Sequence, residues 1–99
     1  MYDVHRLRGE RWSWDAKKAG ANRRKHGIEF LDAVIVFDDE RGITLVDENP
    51  TEERYVTFGI DAQARVLAVC YALRGNTIRI ISARKATPRE RAQYEDKRI

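Results

Sequence analysis

The chain has one cysteine, Cys70, in 99 residues, with two prolines and two histidines. A lone cysteine closes no internal disulfide and builds no thiolate metal cluster. The longest uncharged apolar run, Val66–Leu73, is eight residues, far short of the roughly 20 that a membrane-spanning helix needs. The opening Met1-Tyr2-Asp3-Val4-His5-Arg6 has no apolar segment, so no secretory signal is expected. Repeats, low-complexity tracts and linkers rich in Gly, Pro or Ser are missing. So is any glycine pair spaced to cradle a phosphate before a helix. His5 and His26 stand alone, without zinc-site spacing. Asp38-Asp39-Glu40 has oxygens that can hold Mg²⁺, but it reads foremost as an acidic surface turn. These absences lead to the expectation of a soluble cytoplasmic protein without cofactor or metal.

What is present supports one domain over residues 1–99, with 42% hydrophobic and 35% charged residues. By area scaling such a chain buries about 65% of its unfolded surface, enough for one modest core. The formal net charge of +3 conceals segregation. Residues 1–28 carry a net +5, residues 29–63 a net −8 and residues 64–99 a net +6. If the basic ends converge they form a patch that attracts a polyanion. Solvated faces pairing with each other account equally well for the pattern.

Trp12 and Trp14 alternate with Arg11 and Ser13, which suits the end of a short strand with one buried face. Asp15 is placed to cap a helix over Ala16–Lys25, and Gly27 to stop it. Ile28–Phe37 fits either a helix or a strand by propensity, and Glu29 and Asp32 near its start favour a second short helix. Strands are expected at Ile43–Asp47, Arg54–Ile60, Val66–Leu73 and Thr77–Lys85, the last two as a hairpin through Arg74-Gly75-Asn76. Thr87-Pro88-Arg89-Glu90 is a capping box opening a helix from about Pro88 to Arg98. The expected architecture is α+β: two N-terminal helices, an antiparallel sheet of about four strands and a C-terminal helix.

Candidate chemistry is cationic. Lys25-His26 ends the first helix, where the dipole favours a protonated imidazole, although a histidine there can simply cap the last carbonyls. Cys70, in the most apolar strand, reads as a small buried hydrophobe and not a nucleophile. Arg79 interrupts Ile78, Ile80 and Ile81, so it needs an anionic partner or a cleft that faces one. Arg79 and Arg84 are an odd number of residues apart and fall on opposite faces of a regular strand. They serve one site only if the strand ends or bulges near Ser82–Ala83; otherwise Arg84 steers into the Thr87 cap. Tyr94, one turn after Glu90, packs its ring on the sheet in the ordinary case.

These residues form a pattern that resembles the BrnT toxins. It consists of Trp14-Asp15, Lys18, Asn22, Lys25-His26-Gly27-Ile28, Phe30 and Ala33. A second block holds Val69, Tyr71, Arg74-Gly75, Arg79-Ile80-Ile81-Ser82-Ala83-Arg84-Lys85-Ala86, Glu90-Arg91 and Tyr94. The resemblance spans Trp14 to Tyr94 in continuous order. The chain departs at Met1–Ser13, an N-terminal extension longer than the family pattern. It also departs at Glu29, where a hydroxyl residue is usual; neither is expected to touch the site. The resemblance implies a RelE-like fold and a type II toxin, a ribonuclease that arrests translation. It further implies a small BrnA-like antitoxin with a ribbon-helix-helix part, and promoter DNA bound only through the pair.

RNA brings its own nucleophile, so a metal-free enzyme needs a base for the 2′ proton, cations for the phosphorane and an acid for the leaving oxygen. His26 is the best proton-transfer candidate, because imidazole titrates nearest neutrality. Arg79 and Arg84 are the best phosphate clamps, Lys25 and Arg54 second-rank cations, and Tyr94 an acid or stacking platform. Two competing readings are a non-catalytic nucleic-acid-binding module and an acidic middle that docks a basic partner.

Overall fold

The computed structural model describes residues 2–7, 9–48 and 51–96. Strands β1 (Tyr2–Leu7) and β2 (Glu10–Asp15) open the chain as an antiparallel hairpin. Its turn contains Gly9 at φ 80°, a backbone conformation that favours glycine. Helix α1 (Ala16–His26) follows directly. Asp15 caps it by accepting the Lys17 N–H at 2.8 Å, and Gly27 stops it in the left-handed conformation, with its N–H on the Arg23 carbonyl. The short α2 (Phe30–Ile35) runs into a 3₁₀ turn at Val36–Asp38. Strands β3 (Ile43–Asp47), β4 (Arg54–Ile60), β5 (Val66–Arg74) and β6 (Thr77–Lys85) form an antiparallel meander. Helix α3 (Pro88–Asp96) closes the described chain; the last residues of the expected helix, Lys97 and Arg98, lie outside the described residues. Its capping box forms as expected, with Glu90 Oε1 accepting the Thr87 N–H at 2.8 Å and Thr87 Oγ1 accepting the Glu90 N–H at 3.2 Å.

The sheet has six strands in the order β1-β2-β6-β5-β4-β3. The expectation of two leading helices and about four strands is therefore corrected: the chain begins with strands, and the sheet is mixed. Strand β2 pairs in parallel with β6 through Arg11, Trp12 and Ser13 against Thr77, Ile78 and Arg79. Parallel pairing requires a long crossover, here the whole intervening chain, and no local signal announces it.

One face of the sheet carries the core. Trp12, Trp14, Leu67, Val69, Tyr71, Ile80 and Ala83 meet Ile28, Phe30, Ala33, Val34 and Val36 from the helical segment. Aromatic edges lock this layer: Trp12 on Phe37 at 4.8 Å, Phe37 on Tyr71 at 4.9 Å and Trp14 on Phe30 at 5.9 Å between ring centroids. Trp12 and Trp14 bring the hairpin into the core, so β1–β2 is integral to the domain. Helix α1 is otherwise polar, and Asn22 is its buried residue.

Candidate active site

Strand β6 determines which side chains share a face. From Thr77 to Ile80 it pairs with Arg74 to Tyr71, and pairing resumes with Ser82 opposite Cys70 and Arg84 opposite Ala68. Ile81 is thus the extra residue of a β-bulge. The bulge absorbs the odd step between the two arginines, whose partners Ala72 and Ala68 are an even number of residues apart on β5. Arg79, Ser82 and Arg84 therefore stand on one face, the face opposite the core. At about 3.3 Å per residue the two arginine backbones are about 13 Å apart.

The bulge coincides with a change of neighbour. Strand β2 flanks β6 only as far as Arg79, and beyond it α1 lies along the β6 edge. Buried Asn22 makes that junction: its Nδ2 donates to the Ala83 carbonyl at 2.7 Å and the Ile28 carbonyl at 3.1 Å, and its Oδ1 accepts the Ala83 N–H at 3.1 Å. One side chain thus replaces a missing strand. The latch also fixes the last turn of α1, which carries Lys25 and half-buried His26. A cavity of about 220 Å³ lies between helix and bulge, lined by Lys18, Asn22, Lys25, His26, Ile81 and Ser82 among others. Ser82 belongs both to this cavity and to the arginine row.

Arg79 lies between Ala72 on β5 and Ser13 on β2, both buried. The extension was expected to stand clear of the site; instead Ser13 is the direct neighbour of Arg79. Arg54 joins from β4: Tyr55 pairs with Tyr71, so the residue before it falls on the face of Ala72. Two strand spacings put its backbone about 10 Å from that of Arg79. Its Nε is 3.5 Å from Glu52 Oε1, and Arg74 also bonds Glu52. Burial pushes the Glu52 carboxyl up, but Arg74 and Arg54 outweigh it and hold the group below its ordinary value.

The structure does not bring all the expected residues to one point. Arg84 is engaged: its guanidinium donates to both Glu90 oxygens, at 2.7 and 3.0 Å. Hydrogen bonds from Arg84 drive Glu90 down to about 2 against the effect of burial, and the same pair raises Arg84. Arg84 thus ties the capping box of α3 to β6, the alternative that the sequence allowed. Tyr94 is buried and its hydroxyl donates to Asp39 Oδ2. It lines a separate cavity of about 580 Å³ with Asp38, Asp39, Arg91 and Glu95, away from the cluster of Lys25, His26 and Ser82. Burial pushes Asp39 up, but bonds from Tyr94, the Ile60 N–H and the Arg41 N–H hold it below its ordinary value. That carboxylate is committed within the fold. Among the described residues no group of three or more His, Cys, Asp or Glu is arranged to hold a metal ion.

Sequence reasoning assigned no role to Asn22, Lys18 or Ser82, although all three belong to the pattern it singled out. Only the spacing of 18, 22 and 25 on one helix face could have pointed to the first two.

A family model described as "Ribonuclease toxin, BrnT, of type II toxin-antitoxin system" matches residues 14–90. The crystal structure of the Brucella abortus ribonuclease toxin BrnT is similar at 25% identity, with a TM-score of 0.57, over 75% of this chain and 92% of that one. No curated protein matches. No helix of the described residues is long and apolar enough to cross a membrane. With a family model that runs from the first residue before the Asp15 cap to the Glu90 of the last capping box, the chain belongs to the BrnT family of ribonuclease toxins of type II toxin–antitoxin systems.

Proposed function

We propose that the chain cuts RNA without a metal ion, by attack of a 2′-hydroxyl on the adjacent phosphodiester. The observation that carries this reading is the bulge at Ile81, which aligns Arg79 with Ser82 beside the cavity of Lys25 and His26. The O2′–P bond forms as the P–O5′ bond breaks, leaving a 2′,3′-cyclic phosphate and a 5′-hydroxyl. Arg79 clamps the phosphoryl oxygens, and its planar fork stabilises the extra negative charge of the phosphorane. Lys25 adds a second cation from the helix, and Arg54 a third across Ala72. His26 is the proton-transfer group, taking the 2′ proton or supplying the leaving oxygen. Arg84 and Tyr94 act indirectly in this scheme, through Glu90 and Asp39, by holding α3 against the sheet.

As a member of a type II family the toxin has an antitoxin partner. We take that partner to be BrnA-like, with a ribbon-helix-helix part that brings the pair to promoter DNA. The free toxin then acts in the cytoplasm and arrests translation, in the manner of RelE-like nucleases. The test is purified toxin, free of antitoxin, incubated with long RNA in excess EDTA beside Arg79→Ala. Cleavage that needs Arg79 and leaves 2′,3′-cyclic or 3′-phosphate ends supports the reading. Intact RNA from folded protein overturns it and favours a binding module.

A further inference from the structure

The N-terminal hairpin lies outside the residues that the family model matches, except for Trp14 and Asp15 at its end. Its register nevertheless places two more arginines on the face of Arg79. Ser13 pairs with Arg79 and Arg11 with Thr77 in the parallel β2–β6 ladder, while Arg6 pairs with Arg11 in the β1–β2 ladder. Alternation puts Arg6, Arg11, Ser13 and Arg79 on one side of the sheet. The core-facing residues of the same strands, Trp12 and Ile78, confirm which side that is.

Two features mark this pair as made for an anion. Arg6 and Arg11 are directly opposed across an antiparallel pair, where Cβ atoms are about 4.5–5.5 Å apart and like charges destabilise. Neither forms an ion pair with a described residue, and Arg11 Nε is buried without a hydrogen-bond partner. A buried guanidinium N–H without an acceptor is costly; a phosphate relieves the repulsion, and an Arg11 guanidinium that turns to meet it no longer leaves that N–H unsatisfied. Other arginines of this face are treated differently: Arg84, at the far end of β6, has Glu90, and Arg74, two strands over from Arg11 in the same row, has Glu52.

We propose that Arg6 and Arg11 form a phosphate-backbone subsite that lengthens the RNA track beyond Arg79. This rests on the nuclease reading above, and it assigns the extension a role in holding the strand beside the scissile bond. The subsite is blind to sequence, because phosphate contacts position a strand and do not read its bases.

The test compares wild type, Arg6→Gln/Arg11→Gln and Arg6→Lys/Arg11→Lys, with Lys17→Gln/Arg24→Gln removing equal charge from exposed positions of α1. Thermal melting establishes that each is folded. Binding is read by anisotropy of a fluorescent, fully 2′-O-methylated single-stranded RNA, which cannot be cut, across a salt series. The slope of log affinity against log salt should fall by about 0.7 per lost contact, about 1.4 for the glutamine pair. It should hold for the lysine pair and for the α1 control. On cleavable RNA the glutamine pair should raise KM about tenfold and leave kcat within about twofold. An unchanged slope and KM overturn the subsite. Loss of antitoxin affinity with an unchanged RNA slope also overturns it and gives the face to the protein partner. If wild type cuts no RNA but the slope still falls, the nuclease reading fails and the subsite stands.

Discussion

Two halves of β6 meet different neighbours. From Thr77 to Arg79 its outer edge is paired to β2, a regular ladder that turns arginines to the face opposite the core. From Ile80 onward the ladder on that edge is gone, and Asn22 of α1 satisfies Ala83 alone. The bulge at Ile81 lies at the changeover. The first half supplies cations held on a rigid sheet, and the second supplies a helix end with Lys25 and His26. The site proposed above, which needs both a clamp and a proton-transfer group, lies where this strand changes partners.

Loss of the Asn22 latch should have the largest effect. Asn22→Ala leaves the Ala83 N–H, the Ala83 carbonyl and the Ile28 carbonyl short of partners in a buried place. At about 1–3 kcal/mol per orphaned group, with partial relief by water, the loss should be about 3–4 kcal/mol in denaturant unfolding. RNA cleavage at a temperature where the variant stays folded should fall as well, because the last turn of α1 is no longer fixed. Full stability in this variant would show that β6 does not depend on α1 for its edge. Arg79→Ala tests the other half. It removes a clamp from the face opposite the core, so cleavage should fall about 10²–10³-fold in a variant that thermal melting shows to be folded.

Much of this was legible wherever the determinant was local. Asp15, Gly27 and the Thr87–Glu90 box each act within four residues, and their caps formed as expected. The β5–β6 hairpin turns on Gly75, whose φ of 61° favours glycine. The N-terminal hairpin was only half legible: Trp12 and Trp14 suggested a strand, but its partner β6 lies more than sixty residues on and runs parallel. Gly9 was the unused signal for its turn. The fate of Arg84 could be stated only as alternatives, because one bulged residue reverses which face it occupies. Asn22 was silent for another reason, since an asparagine within a polar helix looks the same whether it faces water or a strand edge.

A smaller effect sharpens the contrast between Arg79 and Arg84. Glu90 titrates near 2 in the folded chain, against an ordinary value of 4.5, chiefly through Arg84. A depressed carboxylate contributes stability above its unfolded value and loses it as pH falls through the folded one. The contribution is therefore whole above pH 4.5 and fades towards pH 2. Solvent around Arg84 screens the pair, which leaves about 1–2 kcal/mol. Unfolding followed from pH 6 to pH 2 should show wild type losing about that much more than Glu90→Gln. Parallel curves would mean that α3 is held by other contacts.

The smallest expected effect is at Cys70, which sits opposite Ser82 on the arginine face. Its position invites a chemical role, but its environment argues against one. Burial pushes the thiol up, Asp47 and Glu52 push the same way, and Arg54 and Arg84 only partly offset them. A thiol above its ordinary pKa has little thiolate at neutral pH and is a poor nucleophile. Cys70→Ala should therefore cleave RNA within about twofold of wild type, since a half-buried thiol contributes only a modest contact. In the native protein a thiol reagent at pH 7 should react with Cys70 far more slowly than after unfolding. Rapid native labelling that abolishes cleavage, together with an inactive alanine variant, would place Cys70 in the chemistry. Slow labelling with an active variant leaves the work of that face to its arginines and the adjoining helix end.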